Sequence, residues 1–158
     1  MSRGVIAKRY AKAFLDFAKD AKTEDVVYQE MKNLLQNFLT YEELRIHLRN
    51  PVISSAQKLK LLSVASSEKN LSVTTQRFFN FILEKNKGEF IQFIASSYLS
   101  LYQEEKNLLT AEVLLPGKVS KESMKELLKI ISTYYPEKTI ELKQREDASL
   151  IGGFILNI

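Results

Sequence analysis

Leu109-Thr110-Ala111-Glu112-Val113-Leu114-Leu115 puts Leu109, Ala111, Val113 and Leu115 at every second position. A period of two marks a strand with one face turned to a core. Upstream of about residue 107 the apolar residues instead recur at three and four, the period of a helix. The chain therefore reads as α+β, mainly α. An N-terminal six-helix bundle is expected over residues 1–107, and a small strand–helix–strand–strand unit over 108–158.

Within the first region, Ile6, Tyr10, Ala13, Phe14, Phe17 and Ala21 form one stripe on an opening helix. Glu24 and Asp25 start a second, where acids suit the positive end of the helix dipole. Its stripe is Val27, Met31, Leu34, Leu35 and Phe38. A short helix around residues 42–48 ends at Asn50-Pro51, because the residue before proline is pushed out of the helical region. Ser54 or Ser55 can cap a fourth helix carrying Leu59, Leu62 and Ala65, and Ser72 a fifth carrying Val73, Phe78, Phe79 and Ile82. Gly88 is the expected left-handed terminator of that fifth helix. A sixth, from about Glu89, presents Phe90, Phe93, Ile94, Ser97 and Leu101. Short links between such helices imply antiparallel neighbours.

Downstream of the alternating segment, Pro116-Gly117 is turn chemistry, and Ser120 caps a helix with Met124, Leu127, Leu128, Ile131 and Tyr134 on one face. Residues 139–145 alternate again with Ile140 and Leu142 inward, Asp147-Ala148-Ser149 makes a turn, and residues 150–156 read as a third strand.

Composition excludes several function classes. The 158 residues contain no cysteine, one histidine and a net charge of +4. Disulfides, thiolate metal sites and multi-histidine centres are ruled out. No run approaches the roughly 18 apolar residues of a membrane span. The basic, amphipathic start imitates an organellar presequence, but Asp16 and Asp20 oppose that reading. Residues 1–22 hold six bases and two acids, and the remainder is balanced, so the whole excess sits on the first helix. A nucleic-acid binder spreads its basic face over a domain, which is not the pattern here.

Catalytic signatures are missing as well. Gly152-Gly153 lacks the spacing of a dinucleotide loop and precedes no helix, and Gly117-Lys118-Val119-Ser120 lacks the upstream glycine of a phosphate loop. His47, between Arg45 and Arg49, has only Glu43 as an acid at helical spacing and reads as a surface histidine. What stands out is the aromatic load. Tyr10, Phe14 and Phe17 share one stripe, while Phe78, Phe79 and Phe81 point in different directions on the fifth helix. One core face cannot absorb all three; core packing accounts for any single one of these rings, and the sharper alternative is that part of this surface forms an apolar groove for a partner helix.

Four stretches carry a resemblance. Ile6-Ala7 with Arg9-Tyr10-Ala11-Lys12-Ala13-Phe14 is similar to the N-terminal signature of the delta subunits of rotary F-type ATP synthases, the counterparts of the mitochondrial oligomycin-sensitivity-conferring protein. Leu48-Arg49-Asn50-Pro51-Val52-Ile53, followed by Lys58, resembles the family's midpoint segment. Phe78-Phe79-Asn80-Phe81-Ile82-Leu83 with Asn86-Lys87-Gly88 resembles its fifth helix. Asp147-Ala148-Ser149-Leu150-Ile151-Gly152-Gly153-Phe154 resembles its most diagnostic stretch. The family continues past this strand into another short strand and a terminal helix, so on that pattern either the sequence is a piece of a longer chain or this member is short.

The resemblance implies a non-catalytic stator subunit, without cofactor, metal or small-molecule substrate. Its helical domain would bind the amino-terminal helix of the alpha subunit, and its C-terminal unit the b subunits of the peripheral stalk. The complex would lie at the cytoplasmic face of the bacterial inner membrane, or at an organellar one. In the family the groove lies between the first and fifth helices. Ile6, Tyr10, Ala13, Phe14, Phe17, Phe78, Phe79 and Ile82 are the corresponding candidates to line or support it. Asn50, Pro51, Asp147, Leu150, Ile151, Gly152, Gly153 and Phe154 are structural motif positions. The alternative reading is a basic helical protein binding nucleic acid or a membrane surface.

Overall fold

The computed structural model describes residues 2–158. Among these residues, seven α-helices and one three-stranded sheet make an α+β fold that is mainly α. The helices are α1 (Arg3–Asp20), α2 (Glu24–Thr40), α3 (Glu43–Arg49), α4 (Ser55–Ser66), α5 (Val73–Glu84), α6 (Ile91–Glu105) and α7 (Lys121–Tyr134). The strands are β1 (Leu108–Leu115), β2 (Thr139–Glu146) and β3 (Ile155–Asn157). The chain divides into two compact units between Tyr102 and Gln103, inside the last turn of α6.

The first unit is a helical bundle around Phe14, Leu34, Phe38, Leu62, Phe79, Ile82, Ile91, Ile94 and Tyr98, all fully buried. Its caps follow the local chemistry. Ser54 accepts from the Gln57 amide while Gln57 reaches back to the Ser54 amide, a complete capping box. Asn50 closes α3, and its side chain accepts from the Val52 amide at 2.9 Å, turning the chain into Pro51.

Three expectations for this unit need correction. The core face of α1 is Ala7, Ala11, Phe14, Leu15 and Ala18; of the expected stripe only Phe14 is buried, and Ala13, Phe17 and Ala21 are exposed. Gly88 does not terminate α5. Asn86 takes the left-handed conformation (φ 53°), with its amide bonded to Leu83 O and the Lys87 amide to Ile82 O, the six-to-one and five-to-two pair of a Schellman end. Gly88 is instead a close-approach glycine, since a Cβ there would stand 3.2 Å from Leu83 Cδ2. The inward stripe of α6 is also rotated. Ile91, Ile94, Ala95, Tyr98 and Tyr102 are buried, while Phe93 is exposed. A 3₁₀ turn at Gly88–Phe90 precedes the helix and changes the angular step, so a phase counted from Phe90 runs off.

In the second unit β1 is central. It pairs in parallel with β2, from Leu108 opposite Thr139 to Leu115 opposite Glu146, and antiparallel with β3, Val113 opposite Leu156. Parallel neighbours need a crossover, which α7 supplies. Ala111, Val113 and Leu115 are buried and the positions between them are not, as the alternation requires. Ser120 caps α7 by accepting from the Ser123 amide. The expected third strand over residues 150–156 is shorter. Leu150, Ile151, Gly152, Gly153 and Phe154 form an irregular segment, with Ile151 fully exposed and Gly153 at φ 75°, and pairing begins only at Ile155. A left-handed glycine cannot stay in a ladder, so the glycine pair ends the run it was expected to join. Asp147 shapes the turn before it: its carboxylate accepts from the Ser149 amide (2.9 Å) and hydroxyl (2.6 Å), which holds that carboxyl below its usual range.

Ile131 is the sole fully buried side chain of α7 among the described residues. Ile131→Ala should lower the stability of the second unit by roughly 2–5 kcal/mol. Chemical denaturation followed by amide exchange on β1 checks this; unchanged β1 protection would show that α7 does not hold the sheet.

Candidate functional site

Two helices brought together from distant sequence form an apolar furrow. α1 contributes Tyr10, Ala13, Phe14 and Phe17, and α5 contributes Arg77, Phe78 and Phe81, around a space of about 290 Å³. The floor is a flat stack: the rings of Phe14 and Phe78 lie 3.8 Å apart at 4°. Tyr10 and Phe81 meet at one end, centroids 6.3 Å apart and tilted 55°. Phe17 (40% exposed) and Phe81 (44%) stand as half-covered rims.

The eight expected groove residues separate on this geometry. Tyr10, Ala13, Phe14, Phe17 and Phe78 line the furrow, with Phe14 and Phe78 buried as its floor. Ile6 lies one turn before Tyr10, half-buried, and does not line it. Phe79 and Ile82 are fully buried and face the bundle interior. The reason is angular. Successive helical residues are 100° apart, so if Phe78 and Phe81 face α1 across the furrow, Phe79 and Ile82 must face the core. Two lining residues were absent from the expected set. Phe81 had a legible signal, as the ring that the core face could not take. Arg77 had none, since a single cation among apolar neighbours reads as solvated surface.

Polar groups fix α5 against its neighbours. Glu30 of α2 is 5% exposed, and its carboxylate accepts from the Ser72 amide (2.6 Å), the Ser72 hydroxyl (2.8 Å) and the Thr75 hydroxyl (2.5 Å). A buried carboxylate is tolerated where such donors and the positive end of a helix converge. Thr23, at the start of α2, shares a hydroxyl hydrogen bond of 2.8 Å with Thr74. Thr74 lies one turn before Phe78, so these contacts determine where the α5 wall stands.

Below the floor a ring series continues into α6. Phe14 meets Tyr98 at 5.0 Å, Tyr98 meets Tyr102 at 6.4 Å, and Tyr102 stacks on Tyr28 at 4.2 Å. Tyr98 donates to Glu24 O and Tyr102 to the Asp25 carboxylate. Burial pushes both phenols well above the ordinary value, assisted by Glu24 for Tyr98 and by the Asp25 hydrogen bond for Tyr102.

A larger concavity lies elsewhere. About 900 Å³ opens among α2, α3 and α4, lined by Tyr41, Leu44, Ile53, Leu61 and Val64 with His47 and Lys60. His47 is exposed, with Nδ1 2.6 Å from Glu43 O. Among the described residues no group of three His, Asp or Glu side chains is placed to hold a metal ion, and no helix is long and apolar enough to cross a membrane.

This fold occurs in ATP synthase. A chain of the Toxoplasma gondii mitochondrial ATP synthase hexamer matches with a TM-score of 0.65 at 18% identity, over 89% of this chain and 77% of that one. Sequence carries the comparison further. Residues 6–158 match the family described as ATP synthase delta (OSCP) subunit. The chain is 36% identical over 155 residues to an ATP synthase subunit delta of Phocaeicola vulgatus, covering 98% of this chain and 83% of the relative. It is 35% identical to one of Parabacteroides distasonis (100% and 87%) and 30% identical to one of Lactobacillus johnsonii (100% and 86%). The chain belongs to the ATP synthase delta (OSCP) subunit family, whose members are structural rather than catalytic subunits.

Two outcomes test this geometry. Glu30→Gln turns one acceptor into a donor facing groups that already donate, and should cost roughly 1–3 kcal/mol in urea unfolding; an unchanged midpoint would remove Glu30 from the account. The tyrosines set a sign in pH. Their folded pKa values lie above the unfolded value of about 10, so the stability they contribute is complete below pH 10 and is lost as pH rises beyond it. Between pH 8 and about 11.5 the wild type should lose more stability than Tyr98→Phe does. Parallel decline of the two proteins would contradict the burial of that phenol.

Proposed function

We propose that this chain is a stator subunit of the F-type proton-translocating ATP synthase, linking the catalytic head to the peripheral stalk and resisting the torque of rotation. The α1/α5 furrow receives the amino-terminal helix of the alpha subunit. The second unit engages the b subunits of the peripheral stalk. The complex stands at the cytoplasmic face of a bacterial inner membrane, a reading supported by the bacterial sources of the relatives.

The observation that carries this reading is the furrow itself: two half-exposed phenylalanines flank a ring-stacked floor, on the pair of helices that the family resemblance singled out. An amphipathic helix laid there would cover Phe17 and Phe81 with its apolar face. Removing roughly 1,200 Å² of total surface, about 60% of it apolar, is worth on the order of 18 kcal/mol gross at ~25 cal/mol/Å². Association losses of roughly 4–15 kcal/mol leave binding anywhere from weak to nanomolar or tighter, enough for a tether without ion pairs.

Calorimetric titration with a synthetic peptide of the alpha-subunit amino terminus should give saturable binding and a negative heat-capacity change. Phe17→Asp and Phe81→Asp alter half-exposed rings and should weaken binding at least roughly tenfold, with circular dichroism unchanged. Equal affinity in both variants would remove the furrow from this role.

A further inference from the structure

Among the residues lining the furrow, Arg77 alone carries a charge. Its guanidinium is exposed and has neither a hydrogen bond nor an ion pair among the described residues. No acid on its own helix stands within one turn of it: the neighbours three and four residues away are Thr74, Val73, Asn80 and Phe81, and Glu84 lies two turns on. Lys85, one turn beyond Phe81, adds a second positive charge 5.8 Å from that ring. The acids of the opposite wall, Asp16 and Asp20, do not line the furrow. The α5 wall is thus an apolar surface with an uncompensated basic edge.

We infer that Arg77 is a specificity-determining contact of the furrow, selecting an occupant helix that bears a carboxylate one turn from its apolar anchor residues. The inference rests on the docking reading above and adds the chemistry of the partner. Arg77 and Phe81 are four residues apart, about 6 Å along the α5 axis. An occupant lying along α5 meets both only if its acid and its apolar anchor are themselves three or four residues apart, on one face. A guanidinium suits this task because its planar donors grip a carboxylate in two places. Once the occupant covers the furrow, Arg77 loses water. A helix without the acid would leave a cation partly desolvated and unpaired, which disfavours wrong partners more than it strengthens the right one.

The test uses the full chain and the alpha-subunit amino-terminal peptide, titrated at low and high salt. Arg77→Gln should weaken binding roughly two- to tenfold and flatten its salt dependence. Arg77→Glu should weaken it further, and replacing one acidic residue of the peptide by Lys should restore affinity toward Arg77→Glu and toward no other variant. Wild-type affinity and salt slope in Arg77→Gln, or failure of every single acid-to-Lys peptide to rescue Arg77→Glu, overturns the inference while the docking reading stands. Absence of binding by the unmodified peptide to the wild type overturns both.

Discussion

The flat contact of Phe14 on Phe78 is the constraint from which the first unit's surface follows. Two helix walls whose meeting residues are parallel rings come together along one line. The residues one turn along, Phe17 on α1 and Phe81 on α5, then stand half-exposed at the furrow, with Tyr10 meeting Phe81 at one end. The furrow is a consequence of how its floor packs. Smaller aliphatic side chains at residues 14 and 78 would let the walls approach and cover the outer rings. The apolar surface that remains open is tolerable on a chain that assembles with others, and unusual for one that works alone.

A ring stack alone leaves a helix free to slide or turn, and the polar contacts at the start of α5 remove that freedom. Glu30 anchors the first turn of the helix from α2, and Thr23 holds Thr74 from the link between α1 and α2. Both lie at the end of α5 that precedes Phe78 and Phe81. A buried acid is an expensive way to join two helices, and its three donors offset that expense only in one geometry. That selectivity gives the wall a single rotation, with Phe79 and Ile82 inward and the furrow rings outward.

Much of this was legible in the sequence, and what failed was the rotation or the continuity of an element rather than its existence. The stripe of α2, the capping serines Ser54, Ser72 and Ser120, and the change of period at β1 are local signals that tertiary packing left intact, whereas α1 buries Ala7, Ala11, Phe14, Leu15 and Ala18 and leaves Ala13, Phe17 and Ala21 of its expected stripe exposed. The aromatic load of α5 was legible too. Its partition was not, because period reveals that a helix has faces but not how the helix is rotated against its neighbours. Phe79 and Ile82 were therefore grouped with Phe78 as residues to line or support the groove, and they fall on the buried, inward face. The α6 stripe went astray through the 3₁₀ turn at Gly88–Phe90, and the third strand through a glycine pair whose backbone leaves the ladder. Arg77 and Glu30 illustrate the same gap for polar residues: each looks like solvated surface until a distant helix supplies its surroundings.

The central claim is that the α1/α5 furrow is occupied in the assembled enzyme by a helix from the catalytic head. Its most direct measurement is site-specific photo-cross-linking in the intact ATP synthase, with a benzophenone side chain at residue 81 and, separately, at residue 64 in the α2–α4 concavity. The account predicts that residue 81 captures the amino-terminal segment of the alpha subunit in a product resolved by mass spectrometry. Capture of that segment from residue 64 alone, with residue 81 giving no product in an intact complex, would contradict it.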